Sequence, residues 1–122
     1  MKELCSAIVF FPCKDIKETL HYYRDILGFD IEKDLGASIW VNGGSGFVGF
    51  VQYDPPRDMA KGACISFNLS STEAVDEMYE KLKNLPVTGL KEPPQKHPKF
   101  PVYSFFLSDP NGYLLEFQKP LE

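Results

Sequence analysis

The sequence predicts an α+β fold built from two successive βαβββ modules. Three observations predict it: an apolar strand followed by a capped amphipathic helix occurs twice, a hairpin follows each helix, and the two hairpins align without a gap, Ser38–Gln52 on Ser104–Gln118. The chain has 122 residues, which fits a single domain spanning 1–122. Within that domain the two repeats cover about 4–53 and 63–118.

The first module begins with an apolar, β-prone segment at 4–11, which predicts a buried strand. Asp15 then supplies a helix cap, with Glu18 at the third helical position as in a capping box. Apolar residues recur at helical spacing up to Leu27, and Gly28 predicts the end of the helix. Shorter strands are predicted at 29–34, 36–42 and 46–53, the last two joined by a glycine-rich turn.

The second module repeats this order after a polar linker at 54–62 that contains two prolines. A strand is predicted at 63–69, and the Ser-Ser-Thr-Glu segment at 70–73 forms a second capping box. An apolar stripe from Val75 to Leu82 predicts the second helix. There follow a short predicted strand at 86–91, a proline-rich loop at 92–101, and hairpin strands at 102–108 and 112–118.

The repeat extends beyond the hairpins, because Ile8–Leu27 also aligns with Cys64–Lys83 without a gap. In the last strands the alignment pairs Phe50 with Glu116. Chance similarity is the alternative, since hairpins share a gross pattern, but two helices and two hairpins in the same order favour a duplication. Two such modules side by side predict a strongly curved mixed sheet, with helices outside and a cupped inner face that suits a ligand.

Composition excludes several classes of partner. Lys and Arg number 13 against 17 Asp and Glu, and the net charge of −4 argues against nucleic acid as a partner. No apolar run approaches the length needed to cross a membrane, and the N-terminus lacks a secretory apolar region. Three cysteines without metal-finger spacing indicate reduced thiols. We therefore expect a cytoplasmic protein.

Two motifs resemble a known family. The segment DIKETLHYYRDILGF at 15–29 is similar to the first-helix signature of the vicinal oxygen chelate superfamily, which includes glyoxalases, bleomycin resistance proteins and extradiol dioxygenases. DPNGYLLEF at 109–117 is similar to its closing hairpin. The resemblance implies the paired βαβββ fold over essentially the whole chain. It leaves the function open, because that fold hosts metal-dependent isomerases, dioxygenases and thiol transferases as well as metal-free drug-binding proteins.

The resemblance also implies where a metal would be held. Metal-dependent members use one position in the first strand and one in the last strand of each module, which here are Ile8, Phe50, Cys64 and Glu116. Only Glu116 is a standard ligand, while Ile8 and Phe50 cannot coordinate an ion. Cys64 can bind zinc as a thiolate, but an apolar environment favours an inert thiol.

A register error of two residues would change this ligand set, because it keeps each strand face the same. Ser6 or Phe10, Gln52 and Ser66 would then replace the three non-ligand positions. In that arrangement Gln52, Glu116 and Gln118 would lie near one another. Taking both registers together, the predicted ligand pocket consists of Ile8, Phe10, Phe50, Gln52, Cys64, Ser66, Glu116 and Gln118.

Glu116 is the candidate catalytic or metal-binding residue. It can serve as a general base, a lone ligand or an anion that receives a cationic ligand; alternatively it is a carboxylate paired with a lysine, a tyrosine or a dimer partner. Cys64 would be a nucleophile only with a lowered pKa. His97 lies in the proline-rich loop, either flanking the predicted pocket or in solvent.

These observations favour a metal-independent protein that binds a small organic molecule, with no cofactor. The alternative is a metal-dependent lyase, isomerase or dioxygenase with an unusual ligand set centred on Glu116, which requires a divalent metal. A third interpretation is a scaffold protein whose cup is filled by its own aromatic side chains. By resemblance to single-chain relatives of this size, we expect a homodimer with two equivalent sites.

Overall fold

The computed structural model describes all 122 residues and divides into two compact units, Met1–Ala60 and Lys61–Glu122. Each unit contains a helix and an open, four-stranded mixed sheet. The predicted α+β class and the two βαβββ modules are confirmed, and the predicted repeats fall within these units. That the units together form one domain around a cupped face remains a prediction.

The two sheets have the same topology: the first strand of each unit runs parallel to the last, which pairs antiparallel with the third. In the first unit, β1 is Ile8–Pro12, β2 Ile31–Asp34, β3 Ser38–Asn42 and β4 Phe47–Val51, in the order β1-β4-β3-β2. In the second unit, β5 is Cys64–Asn68, β6 Gln95–Lys96, β7 Val102–Ser108 and β8 Leu114–Pro120, in the order β5-β8-β7-β6.

The first helix begins as predicted and then changes its winding. The carboxylate of Asp15 accepts hydrogen bonds from the backbone N–H of Lys17 and Glu18 at 2.9 and 3.2 Å, which caps α1 (Ile16–Leu20). A π-helical segment, His21–Ile26, continues it. Because a π-helix has more residues per turn, its consecutive side chains diverge less in direction. The tyrosines at 22 and 23 are accordingly both buried, with ring centroids 5.5 Å apart.

The second helix, α2 (Thr72–Leu82), is capped by the Ser71 hydroxyl, which accepts from the backbone N–H of Ala74 at 3.0 Å. It buries Val75 and Leu82 and lies against β7 and β8. Under it, the rings of the phenylalanines at 67, 105 and 117 stack in a row with centroids 5.5 Å apart at each step. Neither helix is long and apolar enough to cross a membrane.

The connection between α2 and β7 differs from the prediction. The predicted strand at 86–91 forms only a single bridge, from Thr88 to Ser108. Pro86 has no N–H to donate, and Gly89 turns the chain at φ +68, a conformation that interrupts an extended strand. The second strand of this unit is instead the two-residue β6, which lies within the predicted loop at 92–101.

The two hairpins differ by one residue in the turn, and this difference sets which side chains share a face. Asn42 pairs with Phe47 across the first turn, whereas Ser108 pairs with Leu114 across the second. As a result, the residue of β4 that corresponds to Glu116 is Gly49: each lies opposite an aromatic residue of the preceding strand, at 40 or 106. The gap-free alignment of Phe50 with Glu116 is therefore wrong by one residue.

Phe50 occupies the hydrophobic core of the first unit and not a pocket wall. Its side chain is 0% exposed, and its ring centroid lies 4.7 Å from that of Tyr23 and 6.2 Å from that of Phe11. Its structural counterpart in the second unit is Phe117, which is likewise buried. Because side chains alternate along a strand, a shift of one residue moves Phe50 to the helix side of the sheet.

Candidate functional site

One face of the second sheet carries polar side chains, while the other packs against α2. Side chains alternate between the two faces of a strand, so the phenylalanines of the core leave Ser66, Glu116 and Phe106 on the opposite face. Ser66 is paired in register with Glu116 across β5 and β8, and Phe106 with Glu116 across β7 and β8. Glu116 therefore lies in the middle of this face.

Glu116 is a buried carboxylate with one hydroxyl partner. It is only 7% exposed, and its Oε1 accepts a hydrogen bond from the Ser66 hydroxyl at 2.5 Å, a length typical of a charge-assisted bond. None of the ion pairs in the structure includes Glu116. No buried side-chain oxygen in the structure lacks a partner, so the second oxygen, Oε2, must be accessible from the adjoining cavity.

An open cavity of about 570 Å³ lies against this face. Its polar wall holds Glu116, Ser66, Cys64 and Gln118. The remaining wall is mostly apolar and consists of His97, Phe100, Val102, Phe106 and Leu114. Such a combination, an apolar concavity with a few convergent polar groups, is typical of small-molecule sites. A second cavity of about 310 Å³ adjoins it, because His97 and Phe106 line both.

Cys64 also belongs to the polar wall of the cavity, but its thiol does not have the lowered pKa of a nucleophile. Its Sγ lies 3.6 Å from the Ser66 hydroxyl. Partial burial raises the pKa of the Cys64 thiol; the hydrogen bond from Ser66 lowers it, and the negative charge of Glu116 raises it again, for a net rise. A nucleophilic cysteine needs a lowered pKa, so the surroundings of Cys64 favour an uncharged thiol in the cavity wall.

The two glutamines of the predicted pocket have different roles. Gln118 lines the cavity, and its Nε2 donates to the Asn68 side-chain oxygen at 2.9 Å. Gln52 follows β4, and its Oε1 accepts from the backbone N–H of Ile16 at 2.8 Å, at the beginning of the first helix. Because that oxygen satisfies a helix N–H, Gln52 is a capping residue. The prediction that places Gln52 in the pocket is not supported by this geometry.

His97 lies in the wall of both cavities and not in open solvent. It directly follows β6, and its backbone N–H donates to the carbonyl of Val102 at 2.8 Å. Its Nδ1 accepts hydrogen bonds from the backbone N–H of Lys99 and Phe100 at 3.0 and 3.2 Å. The imidazole also contacts the Phe100 ring, with centroids 5.0 Å apart. The side chain therefore closes the turn that leads into β7.

Comparisons with known proteins agree with this architecture. Residues 7–117 match the family model of the Glyoxalase/Bleomycin resistance protein/Dioxygenase superfamily. The chain belongs to this superfamily. A search of curated proteins finds no significant match.

Several solved structures of glyoxalase-superfamily proteins share the fold at low sequence identity. A glyoxalase/bleomycin resistance protein/dioxygenase from Alicyclobacillus acidocaldarius has a TM-score of 0.76 at 17% identity, over 96% of this chain and 92% of its own. A protein of the same description from Nocardioides has a TM-score of 0.74 at 16% identity, over 95% and 83%. The fosfomycin resistance protein FosX from Listeria monocytogenes has a TM-score of 0.70 at 20% identity, over 93% and 90%.

The donor set around Glu116 does not fit the catalytic metal that some superfamily members use. Nowhere do three or more His, Cys, Asp or Glu side chains come together as a group able to hold an ion. Glu116 is hydrogen-bonded to the Ser66 hydroxyl, and its charge helps to raise the pKa of the Cys64 thiol; neither a hydroxyl nor an uncharged thiol is a good metal ligand. A catalytic zinc site ordinarily has three protein ligands.

In the first unit, the position that corresponds to Glu116 is filled by an aromatic side chain. A Cβ added at Gly49 would collide with the ring of Phe10 and approach the side chain of Ile8 at 3.1 Å. Phe10 also contacts Trp40 edge-on, with centroids 6.3 Å apart. Ile8 and Phe10 are both predicted as pocket residues. In the structure they lie on an apolar surface of the first unit, and no carboxylate takes the place of Glu116 there.

Proposed function

We propose that this protein binds a small organic cation in the cavity beside Glu116, without a catalytic metal. One observation carries the proposal: a buried carboxylate has a single hydroxyl partner and presents its other oxygen to an apolar cavity. An ionised carboxylate is costly to bury without a compensating charge. A bound ammonium group would supply that charge.

The wall of the cavity suits an aromatic or aliphatic body on such a cation. Phe100 and Phe106 offer ring surface, and Val102 and Leu114 offer aliphatic surface. A cation that is removed from water beside an aromatic ring gains further attraction from the ring electrons. The open volume also argues against a scaffold role for this unit, since its own side chains do not fill the cavity.

Neutralising Glu116 is expected to weaken cation binding by about 10-fold or more, the usual effect of losing a hydrogen bond to a charged group. The test is isothermal titration of the wild type and Glu116→Gln with benzylamine and phenethylamine. Benzyl alcohol is the neutral control ligand, and its affinity should not change. Ser66→Ala is a matched variant that keeps the carboxylate and should retain most of the affinity. If each amine binds the wild type and Glu116→Gln with the same affinity, the proposal is wrong.

The metal-dependent alternative rests on the resemblance of the two sequence motifs, which implies that Glu116 falls at a position where metal-dependent members carry a ligand. It predicts a lyase, isomerase or dioxygenase. Elemental mass spectrometry after exposure to zinc, nickel, manganese and iron(II) separates the two. About one equivalent of metal per chain, lost in Glu116→Gln, would replace our proposal with this one.

We further propose that two copies of the chain form a homodimer. β1 and β5 are edge strands of their sheets, and an open edge is a surface for further pairing. On β1, Val9 and Phe10 are 59% and 42% exposed, which is unusual for adjacent large apolar residues. We expect sedimentation equilibrium at micromolar concentration to give the dimer mass. A monomer mass throughout that range would contradict the proposal.

A cytoplasmic location is the last part of the proposal. The cysteines at 5, 13 and 64 are all free thiols, which a reducing compartment preserves. Cell fractionation with an antibody to the chain would test it, and recovery in a membrane or secreted fraction would refute it.

A further inference from the structure

The hydrogen-bond pattern of His97 fixes which nitrogen carries its proton. Nδ1 accepts from two backbone N–H groups, those of Lys99 and Phe100, so its lone pair faces them. A neutral imidazole has one donor and one acceptor nitrogen, and the bond made by one determines the state of the other. The proton of the neutral ring is therefore on Nε2.

The Nε2–H group is available to a ligand. No protein atom accepts a hydrogen bond from it, and no buried side-chain nitrogen in the structure lacks a partner, so Nε2 is accessible at the surface. His97 is one of the residues that line the cavity that also holds Glu116. Three contacts hold the residue in place: its backbone bond to Val102 and the two bonds at Nδ1. A donor held in this way loses little freedom when a ligand binds.

We infer that His97 makes the site select cations that also carry a hydrogen-bond acceptor. This inference rests on the proposed function. One cavity is lined by Glu116, which carries an acceptor, by His97, which carries a donor, and by the aromatic residue Phe106. The matching ligand is an aromatic ammonium compound with a carbonyl oxygen on its ring. The ammonium group pairs with Glu116, and the carbonyl accepts from His97 Nε2–H.

The probes are benzylamine, which has the cation alone, benzamide, which has the acceptor alone, and meta- and para-(aminomethyl)benzamide, which have both. One neutral hydrogen bond corresponds to about a 5-fold change in affinity. We therefore expect at least one of the two aminomethyl benzamides to bind the wild type about 5-fold more tightly than benzylamine. Isothermal titration measures the ratio.

The discriminating variant is His97→Asn. The Asn side-chain oxygen can take the place of Nδ1 and accept from the same two backbone N–H groups, but the side chain ends short of the Nε2 position. We expect the thermal midpoint to stay close to that of the wild type. Any change in the cavity wall affects benzylamine and the aminomethyl benzamides alike, so the readout is the ratio of their affinities. The aminomethyl benzamide should then bind about as tightly as benzylamine, since the roughly 5-fold gain in affinity comes from one hydrogen bond.

A measurement on the unmodified protein complements the variant. Long-range proton–nitrogen correlation spectra distinguish a protonated from an unprotonated ring nitrogen. We expect Nε2 of His97 to be the protonated one, and its resonance to shift with the aminomethyl benzamide that binds more tightly and much less with benzylamine. A proton on Nδ1 in the neutral ring would overturn the inference.

The two proposals fail in different ways. The role of His97 is refuted, and the cation site stands, in two cases. In the first, the amines bind through Glu116 but neither aminomethyl benzamide binds more tightly than benzylamine. In the second, His97→Asn keeps the tighter binding of the aminomethyl benzamide. If no amine binds the wild type, or if Glu116→Gln leaves amine affinity unchanged, the cation site and the role of His97 are both refuted. A gain that His97→Asn abolishes while benzylamine binding persists supports both.

Discussion

Replacing Phe50 with alanine is expected to lower the free energy of unfolding of the first unit by about 3–5 kcal/mol. The ring is 0% exposed and lies between Tyr23 and Phe11, so its removal leaves a cavity that rigid neighbours cannot fill. Aromatic pairs of this kind add about 0.5–1.5 kcal/mol beyond the buried area. Urea unfolding followed by the fluorescence of Trp40, the single tryptophan, reports on this unit.

Phe10→Ala is the matched control, because it removes the same side chain from the opposite face of the same sheet. Phe10 is 42% exposed, and the loss should be about 1 kcal/mol, in proportion to the smaller apolar area removed from contact. Equal losses for the two variants, or a small loss at Phe50 accompanied by weaker ligand binding, would contradict the core position of Phe50. The latter result is what the gap-free alignment of the repeats predicts.

The error in that alignment has a physical origin that a single sequence does not reveal. The alternating pattern correctly predicts both last strands, but the face on which each residue lies depends on the length of the preceding turn. Either alignment, with or without one extra residue in the turn, keeps the apolar pattern of the strands. One signal was present: a gap in the turn would have placed Phe50 on Phe117, an identical pair.

Local signals gave better predictions than long-range ones. Asp15 and Ser71 both cap helices as predicted, because a cap depends on a few adjacent residues. The sequence does not predict the π-helical winding of 21–26, which buries two adjacent tyrosines, because apolar residues at helical spacing indicate an ordinary α-helix. The two-residue β6 also lies below the length at which strand patterns are informative.

In the candidate site, too, some residues are predicted from the sequence and others are not. The sequence predicted Glu116, Cys64, Ser66 and Gln118 as pocket residues, and the structure brings all of them to one cavity, because all lie on neighbouring strands of one module. For His97 the sequence leaves two alternatives open, since its place depends on a turn closed by its own ring nitrogen. That bond between a side chain and the backbone leaves no periodic pattern in the sequence.

Asp109→Ala is expected to cost about 2–6 kcal/mol of stability in the second unit. Asp109 is 3% exposed, and its Oδ1 accepts from the backbone N–H of Asn111 and Tyr113 at 2.8 and 2.9 Å. Oδ2 is 3.3 Å from the side-chain nitrogen of Asn111. Alanine would leave two N–H donors of buried residues without this acceptor, each worth about 1–3 kcal/mol. Thermal unfolding followed by far-ultraviolet circular dichroism measures the loss.

Asp34→Ala in the first unit is the control that separates the effect of burial from the loss of a bond between a carboxylate and the backbone. Asp34 also accepts from a backbone N–H two residues on, that of Gly36 at 3.1 Å, but the residue is exposed and water can replace the carboxylate. Its loss should cost no more than about 0.5 kcal/mol, as for most surface substitutions. Asp109→Asn, which keeps an acceptor oxygen, should fall between the two alanine variants. Similar losses for Asp34→Ala and Asp109→Ala would show that the Asp109 carboxylate does not hold this turn. If it does hold the turn, the same carboxylate maintains the one-residue-longer hairpin that directs Glu116, and not Phe117, into the cavity.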